Sequence, residues 1–310
     1  MKSTSILLSG ATGFLGSHLA DDLSFNNFKV IALIRNASDL SRCNEFKNDN
    51  LVFVNTDSEN YKELIRKHQP TIFIHSAWNG VSSDGRSDWN IQIENISMTT
   101  RLLVLAQELH IKKIIAFGSQ AEYGNFKGRI NEDAICNPAS AYGAAKLATL
   151  EILKSFSELH SINWFWLRLF SVYGTREGND WLIPSVIRNA FYNKPMDLTG
   201  CEQRYDYIYA KDFSKAIIKI LETENESGIF NLSSDSSMKL KDMIEKIKDI
   251  INPKAVLNLG VLPYRPNQVM HMEGDSSKFN KQFNFEVKSR FDANIKDIVN
   301  YYHVKHKANI

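Results

Sequence analysis

A short strand, a glycine turn and a helix near residue 10 limit the fold of this chain more than any other feature. Thr4-Ser-Ile-Leu-Leu-Ser9 is an apolar run, followed at once by Gly10-Ala-Thr-Gly13-Phe-Leu-Gly16. Leu15, Leu19 and Leu23 then recur at helical spacing. Glycine in such a turn permits tight bending, close approach of backbone to a pyrophosphate, and close packing of helix on strand. The helix N-terminus faces the same point with N–H groups that lack intrahelical partners. Gly10, Thr12, Gly13, Phe14, Leu15 and Gly16 are therefore expected to hold a dinucleotide.

The pattern continues in alternation. Strand-like runs at Phe28–Ile34, Leu51–Val54, Thr71–His75, Lys113–Phe117 and Asn163–Leu169 are separated by helical stretches, notably Asn90–Leu109. Asn95 and Thr99 share one face of that helix, and Leu102, Leu105, Ala106 and Leu109 form its apolar stripe. Such alternation predicts an α/β fold with a doubly wound parallel sheet of Rossmann type. At 310 residues the chain can bury a large core, and Lys+Arg 37 against Asp+Glu 35 gives no basic face for nucleic acid or a membrane surface. There is no apolar run long enough for a membrane span and no leader pattern, and Cys43, Cys136 and Cys201 make neither metal spacing nor a disulfide framework. A reduced, cytoplasmic protein without a metal is the expectation.

The second strand ends at Arg35. An acidic residue at such a strand end accepts from the ribose 2′-OH of NAD, whereas an arginine suits a 2′-phosphate. NADP (as NADPH) is the expected cofactor and NAD the alternative, with Arg42 assisting Arg35 and Asp57 near the adenine.

Chemistry is expected where Ser119-Gln-Ala-Glu-Tyr-Gly124 precedes Tyr142-Gly-Ala-Ala-Lys146. Residues four apart on a helix share a face. An ammonium beside a phenol should lower the tyrosine pKa from its usual ~10 toward neutrality. Tyr142 then becomes an acid or base usable at physiological pH.

These motifs resemble those of the extended short-chain dehydrogenases/reductases, in particular the enzymes that modify nucleotide-diphosphate sugars. The resemblance rests on the Gly10–Gly16 turn, His75-Ser-Ala77, Asn95-Ile-Ser-Met-Thr99, Ser119 five residues before Gly124, Tyr142 with Lys146, and Arg168-Leu-Phe-Ser-Val-Tyr-Gly174. It implies that Tyr142 is the acid/base, Lys146 its tuner and a ribose ligand, and Ser119 the donor to the reacting carbonyl. Ala77 and Phe170 would line the cofactor; Gln120, Ser171 (where many such epimerases have Asn), Ile183, Arg204 and Arg265 would meet the sugar nucleotide. It also implies a homodimer through the helices at 91–109 and 142–159. Residues 1–170, with 204–232 returning to them, would be the dinucleotide unit, and 171–203 and 233–310 a substrate-binding cap. In Tyr205-Asp-Tyr-Ile-Tyr-Ala-Lys-Asp212 the family's arginine is displaced: Arg204 lies one residue early and Tyr205 takes its place. Arg265-Pro266 matches a pair that grips the diphosphate.

Residues beside Ser119 separate the reactions. Dehydratases of this kind carry an acidic residue two positions after the Ser/Thr, and the GDP-fucose epimerase/reductases carry a cysteine there. Here that residue is Ala121, and Glu122 comes one position too late. The remaining set transfers one hydride and one proton. It suits reduction of an NDP-4-keto-6-deoxyhexose in deoxysugar and polysaccharide biosynthesis. The alternatives are a 4-epimerase with bound NAD and a reductase of a non-nucleotide ketone; a non-catalytic NADP sensor would not need Tyr142 and Lys146. Ser82–Asp88, polar and glycine-containing, is expected to be a mobile loop near the site.

Overall fold

The structure, a computed structural model, describes residues 4–46, 48–265, 268–287 and 291–307. Its strands are β1 (Ser5–Ser9), β2 (Lys29–Ile34), β3 (Leu51–Asn55), β4 (Ile72–His75), β5 (Lys113–Ser119), β6 (Gly128–Ile130), β7 (Asn163–Leu169), β8 (Ser171–Tyr173), β9 (Met196–Asp197), β10 (Arg204–Tyr209), β11 (Gly228–Leu232), β12 (Ser237–Lys239), β13 (Leu257–Asn258) and β14 (His271–Gly274). Its helices are α1 (Phe14–Phe25), α2 (Tyr61–Arg66), α3 (Trp89–Glu108), α4 (Ala141–Leu159), α5 (Leu182–Phe191), α6 (Ala210–Glu222), α7 (Leu240–Ile251), α8 (Ser277–Phe283) and α9 (Phe291–Lys307).

Seven parallel strands form the main sheet in the order β11-β7-β5-β4-β1-β2-β3. Alternate residues of each strand serve opposite faces. Ile6 and Leu8 pack with α1, α6 and α8 through Leu19, Leu23, Phe213, Ile217 and Phe279. Leu7 packs with α3 and α4 through Leu103, Ala106, Leu150 and Leu153. Burial on both faces explains why these strands read as continuous apolar runs. The order reverses between β1 and β4, so the crevice outside their carboxyl ends is the place for a ligand.

A second sheet, β12-β10-β14-β6 with β8 beside β10, stands next to the first. Helices α5, α7 and α9 close over Ile183, Val186, Tyr209, Met243, Ile247, Ile295 and Ile298. Pro184 lies within the first turn of α5, which starts at Leu182. Its missing N–H costs nothing there, because first-turn amides have no intrahelical acceptor.

Candidate active site

The glycine turn is shaped by contact with the end of β4. Gly10 has φ +74°, and a Cβ on it would fall 2.5 Å from the Ala77 nitrogen. A Cβ on Gly16 would fall 1.9 Å from the Gly10 carbonyl oxygen, so α1 packs directly on the turn. Gly13 caps α1 without a side chain, so no N-cap side chain accepts from the first-turn amides. This open, side-chain-free helix end fits a pyrophosphate.

The adenine side is less uniform. Arg35 is exposed at the end of β2. The Asp57 carboxylate accepts from the Asn36 N–H at 2.8 Å, bracing the turn that follows Arg35. Arg42 is committed elsewhere than expected: its Nε donates to the Arg176 carbonyl at 2.8 Å and a terminal nitrogen to the Thr12 carbonyl at 3.4 Å. Arg176 in turn pairs with Asp21 at 2.6 Å and Glu45 at 3.1 Å. Glu45 also accepts from Tyr301 at 2.6 Å and Lys305 at 3.2 Å, both on α9.

His75 ties β1 to α3, with Nδ1 2.8 Å from Ser9 Oγ and Nε2 2.9 Å from Thr99 Oγ1. Burial, with Lys146 nearby, lowers its pKa to about 3, so the ring is neutral. Asn95 exchanges hydrogen bonds with the Asn79 backbone at 2.8 and 2.9 Å, fixing the loop that leaves β4.

Ser119, at the end of β5, Tyr142 and Lys146, in the first turns of α4, come together and are all buried. Ser119 Oγ accepts from the Ala121 N–H at 3.2 Å and lies close enough to the Tyr142 phenol to influence its ionisation. Lys146 Nζ donates to the Phe117 carbonyl at 2.7 Å and lies 5.8 Å from the centre of the Tyr142 ring. The expected lowering of the tyrosine pKa is reversed: burial pushes the Tyr142 phenol up, and Arg86 and Ser119 only partly oppose it. Lys146 is itself pushed down to about 7 by burial, with Glu122 pulling it up and Arg86 adding to the fall. Near neutral pH the pair is thus a phenol holding its proton beside an amine near half-ionisation.

Two side chains from the β4–α3 connection cover this pair. The Trp78 ring lies 3.5 Å from Lys146 Nζ and meets the Tyr142 ring edge-on at 6.2 Å. The Arg86 guanidinium lies 4.6 Å from the centre of the Tyr142 ring. The loop carrying Arg86 is tied down rather than free. Gln92 Nε2 donates to Gly80 and Gly85 carbonyls at 3.0 and 2.8 Å, Tyr142 N–H donates to the Arg86 carbonyl at 3.0 Å, and Asp88 caps α3. Sequence reading missed Arg86. Its only signal is a lone cation in a short glycine-containing loop after β4.

Glu122 does turn away, as its spacing indicates. Its carboxylate accepts from Ser119 N–H at 2.7 Å, Trp166 Nε1 at 3.1 Å and Arg168 Nε at 2.8 Å. Gln120 is half-buried in the single helical turn that starts this excursion.

Residues expected on the substrate side lie on β8, α5, β10 and the segment before β14. Ser171 is half-buried and pairs with Tyr207 across β8 and β10. Ile183 is 2% exposed in the apolar core beneath α5, so its side chain packs instead of lining an open site. Phe170, expected beside the cofactor, joins Tyr123 and Met272 in a separate apolar cluster. Arg204 spends a guanidinium N–H on the Ser237 carbonyl at 2.8 Å. Tyr205, in the displaced arginine's place, donates to the Val269 carbonyl at 2.8 Å. Beside it opens a cleft of about 420 Å³ lined by Asn125, Phe126, Lys127, Gln268, Val269 and Met270. Arg265 is exposed at the edge of this segment, and Pro266 lies outside the described residues. Among the described residues no acidic, histidine or cysteine cluster could hold a metal, and no helix is long and apolar enough to cross a membrane.

Comparison with known proteins agrees with this geometry. Residues 6–233 match the model of the NAD dependent epimerase/dehydratase family. CDP-abequose synthase of Salmonella muenchen is 28% identical over 88% of this chain and 89% of its own. The dTDP-4-dehydro-6-deoxyglucose reductase of Escherichia coli is 26% identical over 83% of this chain and 84% of its own. Among solved structures, UDP-N-acetylglucosamine 4-epimerase from Methanobrevibacter ruminantium M1, in complex with UDP-N-acetylmuramic acid, superposes with a TM-score of 0.88 at 25% identity, covering 98% of this chain and 100% of that one. Other solved neighbours were determined with NAD, but at 19 to 23% identity they carry the fold alone. The chain belongs to the NAD-dependent epimerase/dehydratase family, within the extended short-chain dehydrogenases/reductases.

Proposed function

We propose that the protein is an NADPH-dependent reductase of an NDP-4-keto-6-deoxyhexose. The observation that carries this reading is the single proton-transfer centre at Ser119, Tyr142 and Lys146. Its acidic neighbour Glu122 is locked into an internal ion pair with Arg168, and Ala121 has no proton to move. Dehydration or C5 epimerisation needs a further acid or base at that point; C4 reduction does not.

Tyr142 acts as the acid. A phenol kept protonated by burial delivers its proton to the C4 oxygen, and Ser119 stabilises that oxygen as charge builds. Lys146, when protonated, stabilises the phenolate left behind. The dinucleotide, seated on the glycine turn, supplies the hydride when bound. Arg35, exposed at the end of β2, favours a 2′-phosphate and hence NADPH. The relative named for reduction of a 4-dehydro-6-deoxy sugar nucleotide supports the substrate class.

The 4-epimerase alternative is kept because the M. ruminantium neighbour is an epimerase. A reductase consumes NADPH stoichiometrically with an NDP-4-keto-6-deoxyhexose and puts no solvent deuterium at C5. An epimerase turns over an NDP-hexose with no net cofactor change, and that result would replace the present reading. A homodimer through α3 and α4 belongs to the same proposal. Trp89, Ile93 and Val104 lie 61%, 57% and 45% exposed on α3, apolar surface that packing of helices between two copies would cover. Light scattering near 35.4 kDa would rule the dimer out.

A further inference from the structure

Lys146 is sealed in a place that disfavours its charge. It is 5% exposed, and the charged groups that act on it oppose one another: Glu122, beyond β5, favours the ammonium and Arg86, from the β4–α3 loop, disfavours it. His75 on β4 is neutral and offers no compensating charge. Tyr142, one turn earlier on α4, is neutral as well. The contacts that remain are the Phe117 carbonyl, one acceptor for three ammonium donors, and the face of the Trp78 indole at 3.5 Å. An aromatic face attracts a cation and is indifferent to an amine, and indole is the strongest of the protein rings in this respect.

Trp78 is also held for the task. Its Nε1–H donates to Gln92 Oε1 at 2.9 Å, and the Gln92 amide is oriented by donating to the carbonyls of Gly80 and Gly85. Asn95 Nδ2 reaches the same Gln92 oxygen at 3.3 Å. The ring plane is thereby set by α3, not by its own half-buried surface.

We propose that Trp78 is a positioning residue whose indole face, aimed by Gln92, keeps Lys146 as the ammonium and directs it at the Tyr142 ring. Arg86, over the Tyr142 ring, works against it, so the two residues of the β4–α3 connection bias the proton distribution of the pair in opposite directions. The effect on turnover rests on the reductase reading; the effect on Lys146 ionisation does not.

The test is a titration of Lys146 by NMR in protein carrying ¹³C,¹⁵N-lysine, its signal identified by loss in Lys146→Arg. In Trp78→Leu the Lys146 pKa should fall by about 0.5–1.5 units, from the ordinary strength of a desolvated cation–π contact. Trp78→Phe should recover part of the fall. Global replacement of tryptophan by mono- and difluorotryptophan keeps the shape while weakening the face. It should lower the pKa stepwise with fluorine count, and it remains informative if Trp78→Leu does not fold. In turnover the alkaline limb of the kcat profile should move with the same steps. A Lys146 titration unmoved by fluorination, or moved equally by Phe and Leu, overturns the proposal. A Lys146 titration that shifts in a protein with no 4-ketoreductase activity would leave it standing and remove the reductase reading instead.

Discussion

Glu122 Oε2 and Arg168 Nε are 2.8 Å apart, in an ion pair whose members are 0% and 3% exposed. Arg168 also donates to Tyr123 at 3.0 Å, and Tyr123 to Asn231 at 2.7 Å, so the pair anchors β5 to β7 and β11. Removing one member of a buried pair leaves an uncompensated charge. Glu122→Gln should therefore lower unfolding free energy by about 3 kcal/mol in urea titration at neutral pH. Unchanged stability with lost turnover would instead make Glu122 a participant in the chemistry.

Tyr142→Phe keeps the ring that Trp78 and Arg86 pack against and removes the proton. The kcat should drop by about 10²-fold or more, while calorimetric affinity for the dinucleotide is kept. A near-normal kcat would remove Tyr142 as the acid.

Arg35→Asp places a carboxylate where a 2′-phosphate would sit and offers an acceptor to a 2′-OH. The ratio of kcat/KM for NADPH to that for NADH should fall below that of the wild type. If the wild type itself prefers NADH, the assignment of Arg35 fails.

Glu177 is 9% exposed, and its Oε2 has no hydrogen-bond partner among the described residues. Burial raises its pKa from 4.5 to about 8. Between those values the folded state holds a proton that the unfolded state has lost, so stability falls as pH rises through the window and levels off above it. Glu177→Gln, neutral throughout, should be more stable than the wild type by roughly 2–4 kcal/mol just above pH 8, with the difference gone below pH 4.5. Parallel stability curves for the two proteins would show that Glu177 ionises freely.

The parts legible in the sequence were those whose constraint is local. Gly10 and Gly16 must be glycine because a Cβ would collide within the same turn or with Ala77, and helical spacing alone brings Tyr142 and Lys146 to one face. That Glu122 points away from the reacting group followed from its offset from Ser119; its pairing with Arg168 did not. The ionisation of the pair was not legible. It depends on burial of the pair, and then on Glu122 and Arg86, groups that tertiary packing of β5, the β4–α3 loop and α4 brings together. Arg42 went to the Arg176 carbonyl rather than to the side of Arg35 for a similar reason: residue 176 lies far along the chain and no periodicity announces it. Ile183 read as a ligand contact because a motif was matched, while its burial is decided by α7 and α9.

Glu45 gathers Arg176, Tyr301 and Lys305, and through Arg42 that knot reaches the Thr12 carbonyl. The loop beside the glycine turn therefore acquires its last partners from α9, far along the chain. During synthesis, β1 and α1 leave the ribosome long before α9, yet this loop cannot be fully braced until residue 305 has followed. An arrested nascent chain ending before α9 should show faster amide exchange across residues 40–46 than the released protein. Equal protection in the two would mean that the loop is held from its own side alone.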